Sequence, residues 1–229
     1  MNLWQKALRC GLTPGNIVSY LSLQHMRFWG SALGTLRLRC KALALGVHIG
    51  HGVRAHGPVG LLRWPGSHIE IGDGVSIISS WRRSTACSLA APARLRTFGP
   101  TARIAIGPAC ELSGTSIAVR STSVTLGRQV LVGPNCVITD ADFHALWPPE
   151  VRAGAPGTER DSPVRIDDYV WIGMNCHILK GVHIGRGAII GAGSVVTRDI
   201  PPACLAAGNP ASILRTLGDE ERSPNAREA

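Results

Sequence analysis

One stretch of the chain, residues 164–197, carries an aliphatic side chain at every sixth position without interruption. These aliphatic residues are Ile166, Ile172, Ile178, Ile184, Ile190 and Val196. An α-helix repeats near 3.6 residues and a strand alternates at two, so neither structure alone produces this period. Because six is a multiple of two, each unit can be a short strand followed by a turn, with one side chain always pointing inward.

The same period occurs in shorter runs earlier in the chain. Leu126, Val132 and Ile138 follow it, and aliphatic pairs at positions 106 and 112 and at positions 71 and 77 also follow it. Breaks at residues 78–103 and 145–165 separate the runs. Units that stack to share one continuous core are typical of a β-solenoid, so we predict that architecture.

The composition argues against several other classes. Aromatic residues make up only 5% of the chain, and 27 Gly and 15 Pro favour short strands and turns over a helical bundle. No apolar stretch is long enough to predict a membrane-spanning helix, and the start MNLWQKALRC does not resemble a signal peptide. The seven cysteines lack a CxxC pair, so we interpret them as buried thiols of a cytoplasmic protein and expect no metal.

The net charge of +9 is unevenly distributed, because the first acidic residue is Glu70 and eight Lys or Arg precede it. Apolar positions at helical spacing within this region are Leu33, Leu36, Cys40 and Leu43. We predict that residues 1–46 form a basic, helical segment. Two roles fit it: a cap over the open end of the solenoid, or a peripheral contact with the inner face of a membrane. No nucleic-acid motif accompanies the charge.

Residues 163–215 contain the sequences VWIG, IGAGSVVT and AGNPA, in this order. Through them the chain resembles the hexapeptide-repeat acyltransferases, and within these the sugar O-acetyltransferase branch, which includes maltose, galactoside, nodulation-type and polysaccharide acetyltransferases. The resemblance extends well over residues 104–215, loosely over 47–77 and hardly at all over the first 46 residues. It implies an acetyl-CoA-dependent O-acetyltransferase acting on a saccharide, in surface polysaccharide biosynthesis.

The resemblance also implies an all-β fold, a left-handed parallel β-helix of hexapeptide repeats. We predict this domain for residues 47–204, with loops at 78–103 and 145–165. The N-terminal helical segment precedes it. A C-terminal cap with a short helix is expected at 205–218 and a disordered tail at 219–229.

The segment ITDADFHALWPPE (138–150) opens the later break, and His144 stands where the next inward aliphatic side chain would fall. By position alone, this histidine fits a loop-closing role as well as a catalytic one. The resemblance implies the catalytic role. A neutral imidazole can accept the proton of an attacking hydroxyl and return it to a departing thiolate.

Two aspartates precede this histidine. Asp142 is on the same side of an extended chain as His144, so we expect it to orient the imidazole or contact the acceptor. A backbone carbonyl is the alternative partner of the ring, and a turn-forming role is the alternative for both aspartates. Asp140 is our candidate for binding the acceptor.

The resemblance further implies a set of coenzyme and substrate contacts. The backbone N–H of Met174, after VWIG, is the expected donor to the thioester oxygen, with Gly173 beside it. Trp171 is expected next to the sugar or the pantetheine. The remaining expected acetyl-CoA contacts are the small residues Gly191 and Ala192, which allow close approach, and Thr197, Arg198 and Arg215 near the phosphates.

Other functions fit the same repeat. An N-acetyltransferase acting on a nucleotide-linked amino sugar would use the same histidine. A zinc hydratase related to γ-class carbonic anhydrases is disfavoured, because His177 and His183 are six residues apart and point from successive faces. A non-catalytic scaffold is the third alternative. The resemblance implies a homotrimer whose active sites lie between subunits, and residues 112–123 depart from the galactoside and maltose enzymes, so the acceptor should differ from theirs.

Overall fold

The structure is a computed structural model that describes Gly11, residues 13–84 and residues 86–218. The first ten residues and the predicted tail at 219–229 lie outside this part. The described chain is mainly a parallel β-helix of three sheets, and consecutive coils pair strand upon strand. The predicted all-β fold is therefore confirmed.

Each turn of the β-helix contributes one strand to each sheet. Sheet 1 consists in order of β1 (His48–Ile49), β4 (His68–Ile71), β7 (Arg103–Ile106), β10 (Ser123–Leu126), β13 (Val164–Ile166) and β16 (His183–Ile184). Sheet 2 consists of β2 (Arg54–His56), β5 (Ser76–Ile78), β8 (Glu111–Ser113), β11 (Leu131–Val132), β14 (Trp171–Ile172), β17 (Ile189–Ile190), β19 (Cys204–Gly208) and β20 (Ala211–Thr216). Sheet 3 consists of β3 (Gly60–Leu62), β6 (Arg94–Thr97), β9 (Ser116–Val119), β12 (Val137–Thr139), β15 (His177–Ile178) and β18 (Val195–Val196).

The six-residue period forms the core. The six side chains at the six-residue positions, Ile166 to Val196, are at most 1% exposed. Ile166 aligns with Ile184 in sheet 1 and Ile172 with Ile190 in sheet 2, so three units make one coil. Burying each such side chain stabilises the fold by about 1.5–3 kcal/mol.

The first predicted loop is shorter than the sequence indicated. Residues 78–103 include β6, whose Leu95 is buried and aligns with Leu61 and Ile117 in sheet 3. The period alone did not reveal this strand, because Arg83 interrupts the six-residue series that would lead from Ile77 to Leu95, and the next run, from Ile106, is out of register with Leu95. The excursion from the β-helix is therefore confined to the residues between β5 and β6.

The second predicted loop is present and begins slightly earlier than expected. The chain leaves the β-helix after β12 and returns at β13, and we name residues 140–163 the His144 loop. This loop contains two short 3-10 turns, Pro149–Val151 and Thr158–Arg160.

The predicted N-terminal helix is α1 (Pro14–Leu45). Its second half crosses the first coil of the β-helix, with Gly34, Leu38 and Ala42 buried at helical spacing. Thr35 Oγ1 accepts a hydrogen bond from the Ala55 backbone N–H at 2.9 Å. The helix therefore covers the first coil, but the predicted stripe is exposed and is not the face that packs: Leu33, Leu36, Cys40 and Leu43. Within the described part of the chain, no helix is both long and apolar enough to cross a bilayer.

The predicted C-terminal helix is wrong. Residues 211–216 form β20, which pairs antiparallel with β19 and joins it through Asn209 and Pro210. A six-residue segment is too short to form a stable helix alone, whereas the edge of sheet 2 offers unpaired backbone groups. The segment therefore extends the sheet.

Candidate active site

His144 lies outside the stack of buried aliphatic side chains because the backbone turns just before it. Phe143 has a left-handed backbone conformation (φ 66°), and its ring packs edge-on against Phe98 at a centroid distance of 5.1 Å. A bulky residue rarely adopts this conformation. This change in backbone direction at Phe143 leaves His144 exposed at the surface instead of buried in the core of the β-helix.

The imidazole of His144 is held by a backbone carbonyl. Its Nδ1 lies 3.2 Å from the carbonyl oxygen of Arg152, within the same loop. A carbonyl oxygen only accepts hydrogen bonds, so this contact requires Nδ1 to carry the hydrogen. In the neutral ring the lone pair then resides on Nε2, the nitrogen that can act as a base.

Asp142 does not provide the orientation that we expected of it. Its carboxylate contacts Lys180 Nζ and lies 4.0 Å from Arg160 Nε. Within the described residues the ring of His144 is instead bonded to the Arg152 carbonyl, the alternative partner. The extended geometry that would align Asp142 with His144 is broken by the left-handed conformation of Phe143.

Asp140 cannot bind an acceptor, which corrects the prediction. Its side chain is fully buried and accepts hydrogen bonds from the backbone N–H groups of Arg120, Ser121 and Thr122 at 2.7–3.1 Å. The Thr122 hydroxyl donates a further bond at 2.9 Å. Asp140 thus secures the turn that follows β9, one coil before the His144 loop.

A buried ion pair that we did not predict fixes the His144 loop. The guanidinium of Arg120 contacts the carboxylate of Asp161, and it also donates to the carbonyl oxygens of Pro156 and Gly157. Both charged side chains are at least nine-tenths buried. The only sequence signal was an arginine following the apolar run IAV in residues 117–119. The pair connects the β-helix to the loop that supplies the Arg152 carbonyl.

The environment of this pair shifts the pKa of both groups. Burial alone would raise the pKa of Asp161, but hydrogen bonds from Arg120 and Ser121 outweigh it and lower that pKa below its usual range. The hydrogen bond with Asp161 raises the pKa of Arg120. Both shifts favour the charged forms, so the pair remains ionised at neutral pH.

A groove runs along the outer face of sheet 2, and we name it the sheet-2 groove. It has a volume of about 700 Å³. Its lining includes Glu111, Ser113, Leu131, Trp171, Gly173, Met174, Ile189, Gly191, Ala192 and Leu205. Trp171 is 53% exposed at the base of the groove. In sheet 2 it pairs with Leu131 on one neighbouring strand and with Ile189 on the other. Five of the predicted residues therefore share one surface.

The backbone along this groove is closely stacked. A Cβ at Gly173 would lie 2.6 Å from the Ala192 backbone nitrogen, so only glycine fits there. Gly173 donates its N–H to the Ile190 carbonyl, whereas the Met174 N–H has no acceptor among the described residues. The buried hydroxyl of Ser113, on the wall of the groove, also lacks a partner there. The Met174 N–H is therefore available to a ligand, whereas the Ser113 hydroxyl is shielded from solvent.

The remaining predicted residues lie elsewhere on the prism. Thr197 and Arg198 follow β18 and are exposed at the corner between sheets 3 and 1. The His144 loop leaves β12 at the same corner, two coils below. Arg215 is on β20, aligned with Leu205 at the end of sheet 2. Within one chain the groove and His144 are therefore on different sides of the prism.

The two other candidate histidines are on different sheets, as their spacing predicted. His177 is in sheet 3, and His183 is in sheet 1 with its Nε2 2.9 Å from Asp167. No cluster of three or more His, Cys, Asp or Glu side chains with metal-binding geometry occurs among the residues that the structure covers.

Comparisons with known proteins identify the repeat. A family model described as "Bacterial transferase hexapeptide (six repeats)" matches residues 163–198. A provisionally named acetyltransferase of Schizosaccharomyces pombe is 45% identical over 97 residues, covering 42% of this chain and 45% of the relative. Another, of Staphylococcus aureus (strain MRSA252), is 41% identical over 114 residues, covering 43% and 57%. The chain thus spans about half the length of the curated relatives it matches.

A solved structure shares the fold. A variant of AntD, an N-acyltransferase from Bacillus cereus, in complex with dTDP-4-amino-4,6-dideoxyglucose and coenzyme A, has a TM-score of 0.59 and 16% identity. The match covers 79% of this chain and 89% of that chain. The matched repeat and the three stacked sheets show that the chain contains the hexapeptide repeat of bacterial transferases and is built as a left-handed parallel β-helix.

Proposed function

We propose that this protein is an acetyl-CoA-dependent O-acetyltransferase that acylates a saccharide hydroxyl, in the cytoplasm and in the assembly of a surface polysaccharide. The observation that carries the proposal is the exposed His144, whose Nδ1 faces the Arg152 carbonyl and whose Nε2 is thereby available as a base. The matched repeat and the acetyltransferase names of the relatives support the same reaction class.

The reaction needs one proton to move twice. His144 Nε2 accepts the proton of the sugar hydroxyl as its oxygen attacks the thioester carbonyl carbon. The tetrahedral intermediate then collapses, the C–S bond breaks, and the imidazolium returns the proton to the departing sulfur. General-base catalysis of this kind accelerates a reaction by about 10²–10⁴-fold.

Negative charge develops on the thioester oxygen during the attack, and a hydrogen-bond donor there stabilises the transition state. The Met174 N–H is our candidate, because no acceptor occupies it within the described residues. We assign the sheet-2 groove to the pantetheine arm, with Trp171, Gly191 and Ala192 along it. Arg198 and Arg215 are assigned to the coenzyme phosphates, to which guanidinium groups donate paired hydrogen bonds.

A complete site requires more than one chain in this proposal. His144 and the sheet-2 groove are on different sides of one prism, so the histidine of one chain would meet the groove of its neighbour. A homotrimer with three such sites satisfies this arrangement.

The test is turnover of acetyl-CoA, followed by thiol release, with a panel of saccharide acceptors. We expect His144→Ala to lower kcat by at least about a hundredfold while acetyl-CoA still binds by calorimetry. His177→Ala is the matched control, because His177 is also exposed but belongs neither to the His144 loop nor to the lining of the sheet-2 groove. Near-normal turnover by His144→Ala would overturn the assignment of the base.

Binding of the coenzyme is tested separately. Removing two charge-assisted contacts in Arg198→Ala/Arg215→Ala should weaken acetyl-CoA binding by at least about tenfold. Absence of acetyl-CoA binding by the unmodified protein at millimolar concentration would reject the acyltransferase proposal altogether.

The product distinguishes an oxygen acceptor from a nitrogen acceptor. Mild alkali releases acetate from an ester, whereas an acetamide survives. An alkali-stable product formed from an amino sugar would replace the O-acetyltransferase proposal with N-acetylation by the same histidine.

A further inference from the structure

The first half of α1 is packed only loosely against the body of the protein. None of the described side chains of residues 15–30 is buried, in contrast to the stripe that packs the second half against the β-helix. The exposed apolar side chains of this segment are Ile17, Val18, Leu21, Leu23, Met26, Phe28 and Trp29. Phe28 is 65% exposed and Trp29 is 50% exposed. This density of exposed apolar side chains in one short segment marks an interaction surface.

A basic cleft adjoins this segment, between α1 and the first coils of the β-helix. It has a volume of about 770 Å³. Its charged lining consists of Arg27 and Arg39 from α1 and Arg54 and Arg83 from the β-helix, and His56 lies among them. We name these five residues the basic cleft. No acidic side chain contributes to its lining.

The cations of the cleft are close enough to influence one another. Burial lowers the pKa of His56, and the charges of Arg83 and Arg54 lower it further. Repulsion among like charges that nothing balances is costly, and an anion in the cleft would relieve it. All of the cleft except Arg83 comes from residues 1–69, which contain no Asp or Glu.

We propose that residues 14–30 of α1 and the basic cleft together form a docking surface for a membrane that contains anionic lipids. The apolar side chains, led by Phe28 and Trp29, enter the interface, and the arginines of the cleft bind headgroup phosphates. The combination of an apolar helix with cations and no acid favours this occupant. The inference does not depend on the proposed enzymatic activity.

Vesicle flotation with the full chain tests the proposal. The probes are vesicles of phosphatidylcholine alone and vesicles that also contain phosphatidylglycerol. We expect binding to the anionic vesicles only. Each basic residue near an anionic surface adds to the free energy of vesicle binding. Arg54→Gln/Arg83→Gln should therefore lower the vesicle partition coefficient by about thirtyfold. Phe28→Ser/Trp29→Ser should lower it by at least about tenfold.

Matched variants control for charge and for apolar exposure. Arg103→Gln/Arg128→Gln removes two positive charges from sheet 1 and the turn after β10, and Ile213→Ser/Leu214→Ser removes two exposed apolar side chains from β20. Both controls should bind anionic vesicles as the unmodified protein does. Light scattering of each variant reports its oligomeric state.

Several outcomes would overturn the proposal. Failure of the unmodified protein to bind anionic vesicles is one, and unchanged binding by either test variant is another. A change of oligomeric state in Phe28→Ser/Trp29→Ser without loss of vesicle binding would identify the helix as a self-association surface. Binding of a free nucleoside diphosphate to the cleft, unaffected by Phe28→Ser/Trp29→Ser and without vesicle binding, would identify a soluble phosphate as the ligand.

Discussion

Arg120 connects the β-helix to the loop that positions His144. Its guanidinium contacts Asp161 and the carbonyls of Pro156 and Gly157, all within the His144 loop. Removing one partner of a buried ion pair leaves the other charge uncompensated, which lowers the free energy of unfolding by about 3–5 kcal/mol. At the residue scale, the stability of the loop and the orientation of His144 therefore depend on the same contact.

We predict that Asp161→Asn lowers the free energy of unfolding by about 3 kcal/mol at neutral pH. It should also lower kcat, because the Arg152 carbonyl is part of the loop that Arg120 fixes. Urea unfolding and turnover measure the two effects. Glu70→Gln is the control, since Glu70 forms only an exposed pair with His68, and its loss should cost at most about 1 kcal/mol.

The same pair predicts a pH dependence. The pKa of Asp161 is lowered in the folded protein, so its stabilising contribution is complete above the unfolded pKa of about 4 and is lost as the pH falls through the folded value. The stability difference between the unmodified protein and Asp161→Asn should therefore shrink below about pH 4. A difference that is constant between pH 7 and pH 3 would contradict the role of the ionised carboxylate.

At the scale of the element, α1 serves as a cap because one of its faces comes very close to the first coil. A Cβ at Gly34 would lie 2.4 Å from the Ala55 carbonyl oxygen, whereas a Cβ at Gly30 would meet nothing within 4 Å. Two glycines on one helix, one turn apart, thus have opposite environments. The helix packs tightly at Gly34 and leaves room for a side chain at Gly30.

We predict that Gly34→Ala destabilises the protein by about 1–3 kcal/mol, because the added methyl group forces the helix away from β2. Gly30→Ala should instead stabilise the helix by about 0.5–1 kcal/mol, since only the conformational penalty of glycine is removed. Thermal or urea unfolding of the two variants tests this. Equal effects of the two substitutions would mean that α1 does not pack as the structure describes.

At the scale of the whole molecule, the proposed site depends on the arrangement of several chains. The sheet-2 groove and the His144 loop are on different sides of one chain, so the site that we propose combines the groove of one chain with the histidine of another. A subunit that has lost its histidine could still offer a groove to a neighbour that has kept one. Mixed oligomers can therefore reveal whether sites are shared.

We predict that His144→Ala and Ala192→Trp are each inactive, because the first lacks the base and the second fills the groove. After the two are mixed and allowed to exchange subunits, about a quarter of the sites should combine an intact histidine with an intact groove. Turnover before and after mixing measures this recovery. No recovery, with subunit exchange verified by light scattering of tagged chains, would mean that each site belongs to one chain.

The amino-acid sequence by itself determined the β-helix and its core. A six-residue period selects which side chains face inward. The burial of every sixth side chain from Ile166 to Val196 follows from that local pattern. It also indicated His144 as the residue that breaks the pattern, and α1 through its helical spacing. These features are encoded in neighbouring residues, so they can be read without the tertiary structure.

Only the tertiary structure decided which groups meet. Asp140 binds a turn one coil away, Asp142 pairs with Lys180, and Arg120 reaches Asp161 across the His144 loop. Residues 211–216 became a strand because an open sheet edge was near, and no local signal records that edge. Contacts between coils and loops join residues far apart in the chain, so their partners follow from the stacking of the prism.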